Sequence, residues 1–290
     1  MHRRRGATAP ADRRRSDHVC LAFGQRAEFL AAAGAFLTEG ATAGEQLMYV
    51  SDRPVAEMPD DLASDEALRD LHARGSLSVV HLDEIYGAGA RLRVYEQLAV
   101  YSRAAQDALA AGFSGLRVAA EVTRLALGDR SDEVQVRWEH LADELVASRA
   151  LSALCGYDQS VVPARTLGDV AAAHPAVLGD ADLAPFRLYF ADSRLTLAGA
   201  VDAFGADRLA RLLRGSHVVD AASDGPIAVD VAALEFIDAR GAYALLRWGL
   251  ELVAIERRLM LVGASEMFSR IWHALGFDEV AEVDVVRGAA

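Results

Sequence analysis

The sequence is poor in cysteine and has no long apolar run. Its 290 residues include only two cysteines, Cys20 and Cys155, which are too few and too far apart to suggest a disulfide framework. Hydrophobic residues make up 52% of the chain, but charges and glycines interrupt them well before the roughly 20 apolar residues that a membrane-spanning helix needs. The N-terminal residues also lack the apolar core of a secretory signal. We therefore expect a soluble, cytoplasmic protein without membrane association, with both thiols reduced.

Positive charge is scarce outside the N-terminus. The chain carries 30 Lys and Arg residues against 42 Asp and Glu residues, for a net charge of -12, and residues 1–17 hold six of the arginines. The remainder is therefore more acidic than the total, which disfavours nucleic-acid binding by the folded body. Residues 1–17, with Pro10 and many small residues, are typical of a disordered basic tail. Such a tail could contact nucleic acid or an acidic partner, but the sequence assigns it no function.

The length predicts two domains, because 290 residues are about twice a usual domain. In the first half, short apolar runs that predict buried strands alternate with segments of helical periodicity. This alternation predicts an α/β fold with a mostly parallel sheet and helices on both faces. The predicted strands are HVCLAF, LMYVSD, SLSVVHL, GLRVAAEVTR and ALSALCGYD. The predicted helices are a segment that Gly40 ends, residues 65–74, residues 90–111, and an amphipathic helix over residues 132–149 with its charges on the outer face.

Proline marks the end of the first half. Residues 161–185 contain three of the seven prolines and only one short predicted helix, so we place a domain boundary near Asp182. The predicted units are the tail over residues 1–17, a first domain over residues 18–182 and a smaller α/β domain over residues 183–290. In the second domain we predict two strands in FRLYFADSRLTLAGAVDAF, a helix in ADRLARLLRG, one strand in GPIAVDVAALEFID, a helix in GAYALLRWGLELVAIERR, the strand LMLVGA and the helix SEMFSRIWHALGF.

The second half resembles the STAS domain of anti-sigma factor antagonists. The resemblance is carried, in order, by LTLAGAVDAFGADRLARLL, IAVDVAALEFIDARGAYALLRWGLELVAIERRLMLVGA and WHALGFDEV. In that family a loop like FIDARG presents a Ser or Thr phosphoacceptor at a helix N-terminus, where free N–H groups and the helix dipole accommodate phosphate. Asp238 and Gly241 match the family pattern, whereas Ala239 and Arg240 stand where the hydroxyl would be. The resemblance thus implies a partner-binding loop at Asp238, Ala239, Arg240 and Gly241 that cannot be phosphorylated.

Arg240 leaves two interpretations of partner binding open. Its cation at a helix N-terminus costs about 0.3–1 kcal/mol, and Asp238, which we also expect to cap the helix, is the nearest candidate to compensate. Either Arg240 meets an acidic patch on an anti-sigma factor or kinase-like ATPase, or the domain mediates only assembly, as in a homo-oligomer.

The first half, from about His18 to Pro175, resembles the MEDS domain, a sensory domain of DcmR-type regulators. The segments that carry this resemblance, which are also similar to RecA/KaiC-like ATPases, are HVCLAF, FLTEGATAGEQLMYVSD, GFSGLRVAAEVT, VRWEHLADEL and ALCGYD. Those ATPases need GxxxxGK[ST] after the first strand to hold phosphates and Mg²⁺. The stretch AFGQRAEFLA has only Gly24, with no lysine and no hydroxyl, so we expect no ATP hydrolysis and no cofactor. A crevice at the carboxyl ends of the strands would remain for a different ligand.

The MEDS resemblance places a set of polar residues near that crevice. Arg117 and Glu121 have the spacing to hold a polar or anionic group where a strand meets its loop. An internal ion pair of Arg117 with Glu121 or Glu139 is the alternative. The candidate ligand-binding residues are His18, Cys20, Arg117, Glu121, Glu139, Cys155, Tyr157 and Asp158.

Histidine and cysteine residues raise the question of a metal. His18, Cys20, Cys155 and His174 are residue types that bind zinc or a soft metal. Buried inert thiols are the simpler interpretation, and we predict no metal site.

Together these features predict a non-enzymatic signalling regulator. Its first domain would sense a small molecule or a protein, and its second would pass that state to a partner. Such signalling requires that the ligand bind two arrangements of the two domains with different affinities. A degenerate nucleotide-binding or metal-dependent enzyme and a STAS-based scaffold are the alternatives.

Overall fold

Two β-sheets, one in each half of the chain, organise the structure. The structure is a computed structural model that describes residues 18–89, 92–127, 132–148, 150–179, 183–191, 194–216, 225–280 and 282–288. The predicted basic tail and the predicted boundary at Asp182 lie outside these residues. The α/β class predicted for both halves is confirmed.

The N-terminal sheet consists of six strands. They are β1 (His18–Phe23), β2 (Gln46–Ser51), β3 (Leu77–His81), β4 (Leu116–Glu121), β5 (Leu151–Asp158) and β6 (Ala176–Leu178). Their order is β3-β2-β4-β5-β1-β6, and every pair is parallel. All six residues of β4 are buried, as expected for an inner strand of a sheet that is covered on both faces.

Helices cover both faces of this sheet. One face packs against α1 (Arg26–Ala43), α2 (Met58–Ser64) and α3 (Glu66–Ala73). The other packs against α4 (Leu82–Tyr86), α5 (Val94–Ala110), α6 (Thr123–Leu127), α7 (Asp132–Ser148) and α8 (Ala164–Ala172). Because side chains alternate along a strand, Val19 and Leu21 of β1 face the first layer while Cys20 faces the second.

The predicted end of α1 was wrong by one turn. Gly40 lies inside the helix, where an added Cβ would come within 2.5 Å of the Arg117 side chain. The helix ends at Gly44, which has a φ of 73°, a left-handed conformation that favours glycine at helix ends. The sequence pattern also missed α2, α4, α6 and the three-residue strand β6, which are too short to show a clear period.

The C-terminal sheet also has six strands. They are β7 (Phe186–Ala191), β8 (Arg194–Val201), β9 (Ile227–Asp230), β10 (Leu234–Ile237), β11 (Leu259–Ala264) and β12 (Val283–Arg287). The order β10-β8-β9-β11-β12 is parallel throughout, and β7 pairs antiparallel with β8. The segment GPIAVDVAALEFID therefore forms two strands, not the single predicted one, and β12 was not predicted.

In the described part of the C-terminal half, three α-helices accompany the sheet: α9 (Ala206–Gly215), α10 (Ala239–Leu252) and α11 (Glu266–Ala274). Short 3₁₀ turns follow at Val253–Ile255 and Phe277–Glu279. Among the residues described, no helix of the protein has the length and apolar character to cross a membrane.

The two halves share a packed interface built from α7 and α8. Val136 of α7 and Ala172 of α8 belong to the same apolar core as Leu188 of β7 and Leu209 of α9. The ring of His140 on α7 hydrogen-bonds the Leu188 carbonyl through Nε2 at 2.8 Å. These two helices therefore face the N-terminal sheet on one side and the C-terminal domain on the other.

Candidate functional site

Helix α7 carries a buried polar stripe toward the N-terminal sheet. Gln135, Glu139 and Asp143 recur every four residues, the spacing that places side chains on one helical face. Glu139 is 0% exposed and Asp143 is 2% exposed. The expectation that the charges of this helix lie on its outer face is therefore wrong for Glu139 and Asp143. Acidic side chains are rarely buried unless they are paired, so their partners indicate what the stripe does.

These carboxylates meet residues from β1, β5 and the end of α8. His18 opens β1 and donates from Nδ1 to Asp143 Oδ1 at 2.5 Å. Tyr157 of β5 donates its hydroxyl to Glu139 Oε1 at 3.0 Å. The chain thereby forms one buried polar cluster, consisting of His18, Glu139, Asp143, Cys155, Tyr157 and His174.

The thiol of Cys155 and the imidazoles of His18 and His174 lie on the inner side of the cluster, next to Glu139. His18 Nε2 lies 3.6 Å from Cys155 Sγ and 3.8 Å from Glu139 Oε2. His174 Nε2 lies 3.4 Å from Glu139 Oε2, and the rings of His18 and His174 have centroids 4.1 Å apart. Ligand atoms of His18, Cys155 and His174 thus lie within 4.8 Å of one another, with Glu139 beside the two imidazoles.

Burial sets the protonation of the cluster. It lowers the pKa of His18 to about 3 and also holds the pKa of His174 well below its usual value. Burial raises the pKa of Glu139 to about 8, against the opposing hydrogen bonds from Gln135 and Tyr157. The pKa of Cys155 is raised well above its usual value by burial and by Glu139. Near neutral pH the cluster therefore holds neutral imidazoles, a thiol and a protonated Glu139.

A cavity of about 40 Å³ adjoins the cluster between the sheet and helices α5 and α7. His18, Cys155 and Tyr157 form its polar side. The remaining walls are apolar or aromatic, and the indole of Trp138 packs edge-on against Tyr86 with ring centroids 6.0 Å apart. Most of the lining is contributed by Tyr86, Tyr101, Val118, Ala120, Val122, Trp138, Ala142, Leu145, Val146, Leu151 and Ala153.

The candidate residues separate into three places. His18, Glu139, Cys155 and Tyr157 lie together, but under α7 on a face of the sheet and not in the predicted crevice at the carboxyl ends of the strands. Cys20 lies beside them, in register with Cys155 on the neighbouring strand, and is fully buried. Arg117, Glu121 and Asp158 lie elsewhere.

Arg117 lies near the amino end of β4, away from the other candidates. Its guanidinium pairs with the buried carboxylate of Glu45 and stacks on the Phe36 ring at 4.5 Å. The predicted partners Glu121 and Glu139 were wrong, because Arg117 faces α1 while Glu139 lies on the opposite face of the sheet. We assign Arg117 a structural contact between β4 and α1.

Glu121 and Asp158 end their strands at the carboxyl edge of the sheet. Glu121 accepts a hydrogen bond from Arg26 at 2.6 Å, and Arg26 also pairs with Asp61 at 2.5 Å. Asp158 accepts from the backbone N–H and the hydroxyl of Ser160 at 2.8 and 2.6 Å. Local partners therefore satisfy both carboxylates.

The turn that follows β1 is closed by side chains. Glu28 accepts hydrogen bonds from the N–H groups of Gly24 and Gln25, and with the Gln25 side chain it forms a capping box at the start of α1. Such N–H groups are the ones that bind phosphate in a phosphate loop. In this protein the Glu28 carboxylate, not a phosphate, accepts hydrogen bonds from these N–H groups.

A family model for the MEthanogen/methylotroph, DcmR Sensory domain (MEDS) matches residues 17–175, which include the buried polar cluster and the cavity. The chain belongs to the MEDS family. A second model, for the Mlab STAS domain, matches residues 186–286 and covers the C-terminal sheet. A search of curated proteins gave no match. The combination of a MEDS domain with a STAS domain makes this a signalling or regulatory protein.

The predicted partner-binding loop of the STAS domain begins helix α10. Asp238 caps this helix by accepting a hydrogen bond from the Gly241 N–H at 2.9 Å, as predicted. Gly241 packs so closely that an added Cβ would lie 2.8 Å from Ile237 and from Val201. The expectation that Asp238 compensates the Arg240 cation was wrong, because the guanidinium lies 3.9 Å from Asp207 on α9. Arg240 itself is largely exposed.

Arg240 forms part of a groove of about 800 Å³ between α9 and α10, which we call the arginine groove. Two acidic residues, Asp207 and Glu251, also line it, and Tyr243, Trp248 and Phe277 supply aromatic surface. The MEDS domain contributes Arg165 from α8. The five arginines of the groove are Arg165, Arg211, Arg214, Arg240 and Arg247.

Sequence reasoning missed Asp143, Gln135 and most of the arginine groove. The signal for the first two was present, since Gln135, Glu139 and Asp143 share one face of a helix that also carries apolar residues. The groove could not be predicted because it joins residues from three helices of both domains.

Proposed function

We propose that this protein is a non-enzymatic signalling regulator in which a small molecule binds the MEDS cavity and the STAS domain binds a protein partner. The observation that carries the proposal is that one helix, α7, forms both a wall of the cavity and the contact with the STAS domain. Trp138 and Ala142 face the cavity, while Val136 and His140 contact the STAS half.

The lining of the cavity indicates the chemistry of its ligand. Small-molecule sites are mostly apolar, with a few polar groups that fix orientation. Here the aromatic and aliphatic walls favour an apolar body, and the hydroxyl of Tyr157 and the imidazole of His18 favour one polar group. A volume of about 40 Å³ limits the ligand to a few non-hydrogen atoms unless the walls move.

The partner is proposed to be an anti-sigma factor or kinase-like ATPase that offers an acidic surface. Five arginines face two acids in the groove, and Arg211 also pairs with Asp169 behind it, which leaves the arginine groove a positive balance on a protein whose net charge is -12. Charge complementarity of this kind favours the correct partner and speeds its association. Phe204, which is 94% accessible, precedes by two residues Ala206, which lines the groove, and offers an exposed apolar side chain.

The turn after β1 supports a non-enzymatic role. Glu28 already occupies N–H groups of this turn, and Arg26, which begins α1, pairs with Glu121 and Asp61. Nucleotide phosphates would meet carboxylates there instead of the lysine and hydroxyl that their chemistry needs.

Ligand binding can be tested with alcohols from methanol to phenol, each an apolar body with one hydroxyl. We expect some of them to change the fluorescence of Trp138 and to raise the melting temperature, since a ligand that binds the folded state stabilises it. Ala142→Leu, which fills the cavity, should abolish both responses, and Ala147→Leu, at an exposed position of the same helix, should retain them. If no alcohol changes the fluorescence or the melting temperature of the wild-type protein, or if these responses persist in Ala142→Leu, the proposed cavity ligand is contradicted.

Partner binding can be tested by affinity capture from native lysate with mass spectrometry. The wild-type protein is expected to retain an anti-sigma factor or kinase-like ATPase, and Arg240→Glu to lose it. Arg270→Glu provides the matched control, because Arg270 is also largely exposed but lies on α11 and pairs with Glu266. The proposed partner class is wrong if no such protein binds the wild-type chain. The proposed surface is wrong if Arg240→Glu and Arg270→Glu have the same effect on partner retention.

A further inference from the structure

The inner side of the buried polar cluster brings together two imidazole nitrogens, a thiol and a carboxyl group. The Nδ1 of His174 lies 2.8 Å from the Val170 carbonyl, and because a carbonyl only accepts, Nδ1 carries the proton. The Nε2 of a neutral His174 is then an unprotonated acceptor. It faces Glu139 Oε2 at 3.4 Å, yet neither atom has a hydrogen-bond partner among the residues that the structure describes.

His18 is oriented in the same way. Its Nδ1 is held by Asp143 Oδ1 at 2.5 Å, which leaves Nε2 directed at Cys155 Sγ and Glu139 Oε2. A donor atom from each of His18, Cys155 and His174 lies within 4.8 Å of the others. Two imidazole nitrogens and a sulfur therefore form a three-ligand group, and Glu139 Oε2 lies beside it, 3.8 Å from His18 Nε2 and 3.4 Å from His174 Nε2.

We propose that His18 Nε2, Cys155 Sγ and His174 Nε2 form a site for Zn²⁺ or a chemically similar divalent cation, with Glu139 Oε2 next to its fourth position. Around a tetrahedral zinc with Zn–N near 2.0–2.1 Å and Zn–S near 2.3 Å, neighbouring donor atoms are about 3.3–3.6 Å apart. The distances of 3.4 Å between His174 Nε2 and Glu139 Oε2 and 3.6 Å between His18 Nε2 and Cys155 Sγ agree with that geometry, and His18 Nε2 to Glu139 Oε2, at 3.8 Å, is slightly longer.

The residues behind the donors are those that support metal ligands. Histidines that bind a metal almost always donate their other N–H to a carboxylate or a backbone carbonyl, and here Asp143 and Val170 accept these bonds. The second oxygen of Glu139 is fixed by Gln135 and Tyr157. Both imidazole ligands are therefore oriented before any ion arrives.

Charge balance also suits a divalent ion. Binding would displace one proton from the Cys155 thiol and one from the Glu139 carboxyl, so that a thiolate and a carboxylate neutralise the two positive charges. A neutral complex avoids the cost of an uncompensated buried charge. Sulfur, nitrogen and oxygen donors together favour Zn²⁺ over Mg²⁺ or Ca²⁺, which prefer oxygen alone.

The test uses the full chain, stripped with a chelator and then titrated with Zn²⁺ against a chromophoric chelator and with Co²⁺ as a spectroscopic probe. We expect one tight-binding equivalent per chain and a thiolate-to-cobalt charge-transfer absorption. Since the chain has only two cysteines, Cys20→Ser is the matched control and should retain the absorption, which then assigns it to Cys155. His174→Gln should weaken binding by at least about 100-fold, at or beyond the upper end of what loss of a metal-supporting residue causes.

Several results would overturn the proposal: absence of stoichiometric uptake by the wild-type protein, a cobalt complex without thiolate absorption, or loss of that absorption in folded Cys20→Ser. Cys155→Ser should bind weakly, and circular dichroism shows whether it is folded. If Cys155→Ser is unfolded, the cobalt spectra of the wild-type protein and of Cys20→Ser still test whether Cys155 binds the metal. Metal binding does not depend on a ligand in the neighbouring cavity, so the alcohol experiment fails or succeeds separately.

Discussion

The Asp143 carboxylate accepts a hydrogen bond from the backbone N–H of Phe190 at 3.0 Å. Its other oxygen holds His18, so one side chain of α7 joins the first strand of the MEDS domain to the first strand of the STAS domain. A change at His18 therefore has a direct route to β7.

Asp143→Ala should destabilise the protein strongly. It leaves the buried Phe190 N–H and His18 Nδ1–H without their acceptor, and each unsatisfied buried group costs about 1–3 kcal/mol. We expect the free energy of unfolding to fall by about 3 kcal/mol in denaturant titrations. Glu133→Ala, at an exposed position of the same helix, is the control and should change it by less than about 0.5 kcal/mol. Equal effects of the two substitutions would contradict the assigned role.

Asp169→Ala should weaken the interface between the two domains. Asp169 of α8 accepts hydrogen bonds from Arg208 and Arg211 of α9 at 2.8–3.0 Å and is largely buried. We expect a loss of about 2 kcal/mol, as for charged hydrogen bonds, measured by thermal unfolding. Asp207→Ala removes a mostly exposed carboxylate 3.9 Å from Arg240 and should have little effect. A melting temperature that Asp169→Ala leaves unchanged would show that these bonds add no stability.

Gly241→Ala should distort the start of α10. Its Cβ would lie 2.8 Å from Ile237 and Val201, closer than packed carbon atoms approach, and overpacking of this kind costs about 1–3 kcal/mol. The expected result is a lower free energy of unfolding with the slope against denaturant unchanged. Arg240→Ala, at the exposed neighbouring position, should be close to neutral. If Gly241→Ala is equally neutral, the loop has room that the structure does not show.

Glu121 should make stability depend on pH. Burial outweighs the attraction of Arg26 and raises the pKa of Glu121 above its ordinary value of 4.5. The folded state then keeps this proton to a higher pH than the unfolded chain does. The contribution to stability is present below pH 4.5 and is lost as pH rises through the raised pKa.

Glu121→Gln should flatten that part of the curve of unfolding free energy against pH. Glu235→Gln, at an exposed position on β10, should leave it as in the wild-type protein. A steeper curve in Glu121→Gln would mean that the ion pair with Arg26 dominates over burial.

Much of the fold was predictable because its signals are local. The strands β1 to β5 are short apolar runs between turn residues, and α9, α10 and α11 show helical periodicity, so each could be identified without knowledge of the rest. The cap by Asp238 was predictable for the same reason. Strands β6 and β12 were missed because one has three residues and the other is rich in charge.

The partners of buried charges were not predictable from the sequence. Arg117 and Glu45 are 72 residues apart, and only the pairing of β2 with β4 brings their neighbourhoods together. The inward direction of Glu139 and Asp143 depends on which face of α7 meets the sheet, a choice that the apolar pattern of this helix leaves ambiguous. His174 joins the cluster only because α8 returns the chain to β1.

The double role of α7 and α8 bears on how this protein can change its output during evolution. Val136 and Ala172 are part of the hydrophobic core of the STAS half, so that half is not a portable module. Grafting it onto another sensor, or replacing it with a different output domain, would expose apolar surface on both sides of the junction. An exchanged output domain can fold well only if the residues of α7 and α8 that pack against it change as well. The sensor and the output domain are therefore expected to evolve together.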